Sequence, residues 1–364
     1  MKKNKKGLIL MTVIDRNAPV MVTGATGYVA GSLMEELLKQ GHTIHAPVRQ
    51  PDSTEKLKYL NALAEQHPGT IKYFKADLLD EGSYAQAMEG CQLVYHTASP
   101  FTVEVTDPQK ELVDPALKGT RNVLEQANKT ESVKRVVLTS SVAAIYGDNA
   151  DLVNAKGPKF SEQDWNTSSS LEHQPYSYSK TVAEQEAWKI AKSQSRWDLV
   201  VINPSFVIGP GINPHATSES FHLIQQLGDG TMKTGIPKWP IGIVDVRDVA
   251  SAHVNAGYTP DAQGRHIVSG YDSSFSDMAK ILVAKYGKTY PLPKIILPKW
   301  MVWLFGPIIN SSMTRKMISL NVNLPYQSDN SKGKEKLGLQ YRPLESSVIE
   351  FFEQAINSGL IKKR

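Results

Sequence analysis

A chain of 364 residues, 41% hydrophobic and 21% charged, is long enough for one large α/β domain with an appended lobe, or for two domains, and can bury a full core. Its formal charge of +5 is modest and partly terminal, carried by Lys2, Lys3, Lys5, Lys6, Lys362, Lys363 and Arg364, and without a basic stripe interleaved with aromatics it does not describe a nucleic-acid surface. One cysteine, Cys91, excludes an intramolecular disulfide, suits a reducing, cytoplasmic setting and reads as a buried structural thiol.

Residues 1–17 read as a disordered extension. A basic start and an apolar stretch over 7–14 imitate a secretion signal only loosely, because Asp15 and Arg16 interrupt it and no small-residue cleavage site follows. Met11 is an alternative start. The pattern then predicts strands over 20–23, 43–48, 71–75, 93–96, 135–139 and 199–202, and helices over 32–40, 54–63, 108–129 and 176–193. Near-continuous apolar strands separated by amphipathic helices predict a parallel, doubly wound sheet over residues 18–204. After Asn203-Pro204 the texture changes: Pro and Gly punctuate 208–211, 213–214 and 238–240, and helical spacing returns at 246–257, 276–286 and 344–358. Residues 205–364 are therefore expected to form mainly a smaller substrate-binding lobe over the carboxyl ends of the strands, with some segments returning to the sheet. No stretch reaches the ~20 apolar residues that span a bilayer. The nearest, 300–309, is short and broken by Gly306-Pro307, so no stable membrane insertion is expected.

Val20-Met-Val-Thr-Gly24-Ala-Thr26-Gly27-Tyr28-Val29-Ala30 passes from an apolar strand through a tight turn into a helix. Gly24 permits the turn, Gly27 lets the backbone approach a phosphate, and Ala30 allows close helix packing. The pyrophosphate of a dinucleotide is expected there, against Gly24, Thr26, Gly27, Tyr28 and Val29. NAD-preferring sites usually carry Asp or Glu at the end of the second strand. This chain has Ala46-Pro-Val-Arg49-Gln50, with no carboxylate before Asp52. Arg49 offers a planar cation for a 2′-phosphate and Lys56 adds charge, so NADP(H) is preferred, with NAD(H) as the other possibility. Asp77 and Leu78 are expected beside the adenine, and Thr97, Ala98 and Ser99 along the ribose and phosphates; His96 reads as a core residue.

Tyr176-Ser-Tyr-Ser-Lys180 places a phenol and an ammonium four residues apart on one helix face. The ammonium is expected to lower the phenol's pKa, so that Tyr176 exchanges a proton with a carbonyl or alcohol oxygen, while Lys180 also bonds the nicotinamide ribose. Thr139-Ser140-Ser141 closes the fifth strand. Thr139 is expected beside the cofactor and Ser141 against the substrate oxygen, with Ser140 as the alternative. No metal ion enters this chemistry.

In this order the residues resemble the extended short-chain dehydrogenase/reductase superfamily, from Val20 to about Gly359. Val94-Tyr-His-Thr-Ala-Ser-Pro-Phe101, Pro115-Ala-Leu-Lys-Gly-Thr-Arg-Asn-Val123 and Asn203-Pro-Ser-Phe-Val-Ile-Gly-Pro210 narrow the likeness to the dihydroflavonol 4-reductase group, which includes cinnamoyl-CoA reductases. The resemblance implies a Rossmann-type domain, NADP(H), and a Ser-Tyr-Lys site at Ser141, Tyr176 and Lys180. It also implies a turn at Pro204, Ser205 and Val207 that packs on the nicotinamide. Two departures stand out: Arg247, where the group commonly has an acidic residue, and residues 298–326, which match the plant reductases poorly. That stretch is expected to shape the substrate pocket or to form an ordinary core helix. The expected activity is reduction of a small aldehyde or ketone by a monomer or homodimer. The rivals are a nucleotide-sugar epimerase or dehydratase, a steroid dehydrogenase, and a non-catalytic NADP-sensing regulator.

Overall fold

A computed structural model describes residues 11–99, 105–310 and 312–362. Residues 1–10 and the Pro100-Phe101 end of one family-like segment lie outside the described residues; residues 11–17, expected within a disordered extension, are held to the domain, with Thr12 donating to Pro260 O at 3.0 Å and to Asp198 at 2.6 Å.

Strands β1 (Val20–Thr23), β2 (Thr43–Val48), β3 (Thr70–Lys75), β4 (Leu93–His96), β5 (Arg135–Thr139) and β6 (Asp198–Pro204) alternate with helices. These are α1 (Tyr28–Lys39), α2 (Thr54–Glu65), α3 (Ala85–Met88), α4 (Asp114–Lys129) and α5 (Pro175–Lys192). Then follow β7 (Phe206–Ile208), α6 (Glu219–Gly228), β8 (Ile236–Pro237), β9 (Pro240–Asp245), α7 (Val246–Tyr258) and β10 (Gly264–Val268). The chain closes with β11 (Tyr271–Ser274), α8 (Phe275–Tyr286), β12 (Ile296–Leu297), α9 (Lys299–Ile309), α10 (Arg315–Asn321), α11 (Ser331–Leu337) and α12 (Leu344–Asn357).

Seven strands form one sheet in the order β10-β6-β5-β4-β1-β2-β3, every pair of it parallel. Parallel strands are apolar on both faces because helices cover both, and β1 shows it residue by residue. Val20 and Val22 join the core under α1 and α7 with Leu33, Leu37 and Val249. Met21 turns to the opposite core, with Val123 and Leu124 of α4 and Ala187 and Ile190 of α5. The strand order reverses between β1 and β4, which opens a crevice at their carboxyl ends.

Beyond β6 the chain builds a second layer. β7, β9 and β11 make a three-stranded sheet that packs with α6, α8 and α12 around Phe221, Leu282, Phe351 and Phe352. β10 leaves this layer and adds a seventh strand beside β6. Tyr28, at the first position of α1, joins the two layers. Its ring packs edge-on to Phe221 with centroids 5.2 Å apart, and its hydroxyl donates to Gly209 O at 2.6 Å. The departure at Arg247 also has a structural purpose: its guanidinium bonds Asp245 and reaches Glu350 at 2.6 Å, tying the β9–α7 junction to α12.

Candidate active site

The β1–α1 turn is built for close approach. Gly24 sits at φ +68°, and a Cβ there would come within 2.9 Å of the Ala98 Cα, so no other residue fits without moving the loop after β4. Thr26 and Gly27 are exposed at the tip. Helix α1 begins with no side-chain cap and no acidic residue in its first turn, which leaves its leading N–H groups for an anion from outside the chain. Val29 is half-buried against the α1 core. Arg49 is exposed just past β2, and its guanidinium has no partner among the described residues. Lys56 is exposed in the first turn of α2. These features fit a dinucleotide that ends in a phosphorylated ribose.

Asp77 is half-buried and holds its own turn, accepting from Leu79 N–H at 2.9 Å; Leu78 lies close over Gly119 of α4. Two hydroxyls are bonded within the protein and a third is buried. Thr97 donates to Thr23 O, and Thr139 bonds His253 at 2.6 Å. Ser205 is 5% exposed, with its Cβ against Gly242. The histidines involved are neutral: burial holds His253 down to about 4 and His96 down to about 3. His96 bonds Thr23, whose hydroxyl also receives the Ala98 N–H, so it braces the Ala98 loop. Pro204 ends β6 and Val207 is half-buried in β7.

Tyr176 and Lys180 stand one turn apart on α5. The Lys180 ammonium lies 5.8 Å from the centre of the Tyr176 ring and donates to Ser99 Oγ at 2.9 Å, which ties α5 to the end of β4. Their electrostatics depart from the sequence-based expectation. Although 46% of Tyr176 stays open to the cleft, the protein packed around its phenol, and then the Glu219 carboxylate, push it up to about 12. Burial pulls Lys180 down to about 8. An ammonium over the ring face, itself easily discharged, does not lower the phenol as the spacing suggested.

Ser140 and Ser141 are separated by their partners. Ser140 is buried and donates to Glu184 at 2.6 Å. Ser141 stays half-exposed at the head of the helical turn Val142–Ala144, where its Oγ accepts from Ala143 N–H. That turn packs against α5, with Thr181 bonded to Ala143 O. Sequence reasoning missed the group beneath. Asn203 donates to Ser141 O at 3.0 Å and to Glu184 at 2.8 Å, and Arg265 of β10 meets Glu184 at 2.6 Å. The one available signal was Glu184 itself, a carboxylate four residues beyond Lys180 on the same helix face. A second missed group holds the start of α5: Gln174, in a left-handed conformation at φ 57°, donates to Gly147 O and Asp148, and His173 pairs with Asp148 at 2.6 Å.

A parallel α/β sheet with an open glycine turn at its crevice and a Tyr-Lys helix beside it defines a dinucleotide-binding redox protein. Residues 20–270 match the NAD dependent epimerase/dehydratase family, and the chain belongs to it. It is 39% identical to a cinnamoyl-CoA reductase of Medicago truncatula over 92% of this chain and 94% of that one. It is 35% identical to tetraketide alpha-pyrone reductase 1 of Arabidopsis thaliana, over 94% and 96%. Among solved structures it resembles Gre2 of Candida albicans in complex with NADPH, at 30% identity and TM-score 0.74, covering 93% of this chain and 99% of that one.

Proposed function

We propose that the protein is an NADP(H)-dependent oxidoreductase that reduces an aldehyde or ketone, with Tyr176 as proton donor. The observation that carries this is the Tyr176–Lys180 turn, joined through Ser99 to the carboxyl end of β4, where the glycine turn also opens. When bound, NADPH supplies the hydride. Gly24, Thr26, Gly27 and the leading N–H groups of α1 hold its pyrophosphate, Arg49 and Lys56 its 2′-phosphate, and Lys180 its nicotinamide ribose.

The chain's own groups handle the oxygen. With its phenol up at about 12, Tyr176 carries its proton throughout the neutral range and gives it to the oxygen as negative charge develops there. The Ser141 Oγ accepts from Ala143 N–H, so its own O–H remains free to donate to the same oxygen. Asn203 fixes the Ser141 carbonyl and with it the direction of that hydroxyl. The free guanidinium of Arg49 favours this reading over a sugar-nucleotide epimerase that retains NAD. A buried, unpaired Cys91 supports a cytoplasmic setting, and the protein acts on its small carbonyl substrate as a monomer or homodimer. Tyr176→Phe is expected to remove turnover while sparing NADPH binding, read by NADPH oxidation against an aldehyde and ketone panel and by fluorescence titration. Normal turnover in that variant would sink the assignment.

A further inference from the structure

Helix α9 has an inside and an outside. Val302 and Gly306, one turn apart, face inward and are buried; Val302 packs with Ile318 and Val322. Most of the rest of the helix is apolar and open: Trp300 is 64% exposed, Phe305 47%, Ile308 78% and Ile309 84%. Trp303, Leu304, Ile295 and Ile296 extend the patch. An apolar surface of this kind on a folded protein calls for a partner. Its rim says which. Between Met278 and Ser328 the sequence holds seven Lys or Arg and no Asp or Glu. Lys280 and Lys285 are neutralised by Asp277 and Glu353, which leaves Lys288, Lys294, Lys299, Arg315 and Lys316. Arg315 lies over the Trp303 ring at 4.7 Å, and Lys299 is fixed at the α9–α10 joint by a bond to Ser319 O. Exposed Lys238 adds to this side, next to Trp239, which packs on the Val302 cluster.

We propose that α9 is a membrane-surface anchor, its tryptophans and isoleucines seated in the headgroup boundary of a bilayer and its basic rim on anionic headgroups. The composition is that of an interfacial helix, with Trp, Phe and Leu on one side and cations flanking it. It lies on the surface and does not cross, since no helix among the described residues is long and apolar enough to span a membrane. A second copy of the chain is the poorer occupant. Two-fold pairing of this face would bring its own cations together with no carboxylates to meet them.

The test is flotation with vesicles of phosphatidylcholine alone or mixed with phosphatidylglycerol. The protein is expected to partition about tenfold more strongly into the mixed vesicles, with tryptophan emission shifted to the blue and the preference weakened by salt. Replacing the face (Trp300→Ser, Trp303→Ser, Ile308→Ser, Ile309→Ser) should cut partitioning about tenfold or more while leaving the thermal unfolding midpoint near that of the parent. Arg315→Gln with Lys316→Gln, which leaves the apolar face intact, should reduce the preference for anionic vesicles. No flotation of the parent, or equal flotation with both vesicles, overturns the proposal. So does a lipid-free dimer in sedimentation velocity that the serine variant dissociates, which would assign the face to a second copy.

Discussion

Lys180 makes the site sensitive to pH. Burial lowers its pKa to about 8, so its ammonium is fully present below that value and is lost above it. The phenol of Tyr176, up at about 12, stays protonated across the same window. Carbonyl reduction is therefore expected to hold level up to about pH 8 and then to fall roughly tenfold per pH unit, as one proton leaves. A profile of kcat/KM between pH 6 and 10 checks this, and a profile still level at pH 10 would show that loss of the Lys180 proton does not set it. On the reading proposed above, Arg49 governs cofactor choice through charge, since its guanidinium has no hydrogen-bond or ion-pair partner among the described residues. Arg49→Glu is expected to raise the KM for NADPH about a hundredfold, in line with loss of a charge-assisted pair and gain of repulsion, with NADH little affected; steady-state kinetics with both cofactors reads it. The placement of Tyr176 and Lys180 on one helix face and of Gly24 at a turn was legible from spacing alone. Their electrostatics were not, because a pKa depends on how much protein surrounds the group. The inward-turned hydroxyls of Thr97 and Thr139 were hidden for a similar reason: their partners, Thr23 O and His253, are distant in sequence.

At the scale of elements, Arg135 shows how the sheet and its helices are locked. It is 0% exposed at the start of β5. Its guanidinium pairs with Asp198 of β6 at 2.8 Å and donates to the carbonyls of Ala256, Gly257 and Thr259 at the end of α7. Helix ends leave such carbonyls unpaired, and a cation there meets both the carbonyls and the helix dipole. Arg135→Met is expected to cost about 3 kcal/mol, the lower end for removing one member of a buried pair, measured by urea unfolding. The six strands over 20–204 were readable as apolar runs, and their bounds differ from expectation by at most two residues, at the end of β6. Helix α1 begins at Tyr28, earlier than the expected 32, because no capping side chain marks its start. The helix over 108–129 opens with a wider π-helical turn, Gln109–Val113, before α4. Helix α9 misled in another way. A helix that is apolar all round reads as core, and only its packing against α10 reveals that one side has no neighbour among the described residues.

The whole molecule is less divisible than its sequence texture suggests. Short strands such as β7, β8, β11 and β12 carry too few residues to show a period, so the second layer could be expected only as a lobe. Tyr28 crosses between the layers, and Arg265 reaches from β10 to Glu184 under Ser141, so the late part of the chain supports the early part's chemistry. The seventh strand has a consequence for how the protein is made. β6, with its core of Leu199, Val200, Val201 and Ile202, meets β10 along its outer side. A ribosome releases β6 well before Gly264–Val268 exists, so an unprotected apolar edge waits through the synthesis of everything between them, open to pairing with other nascent chains. A chain cut after Pro204 is expected to precipitate on expression while one carried through the full sequence stays in solution, and the soluble fraction of each, with and without extra chaperone, would show it.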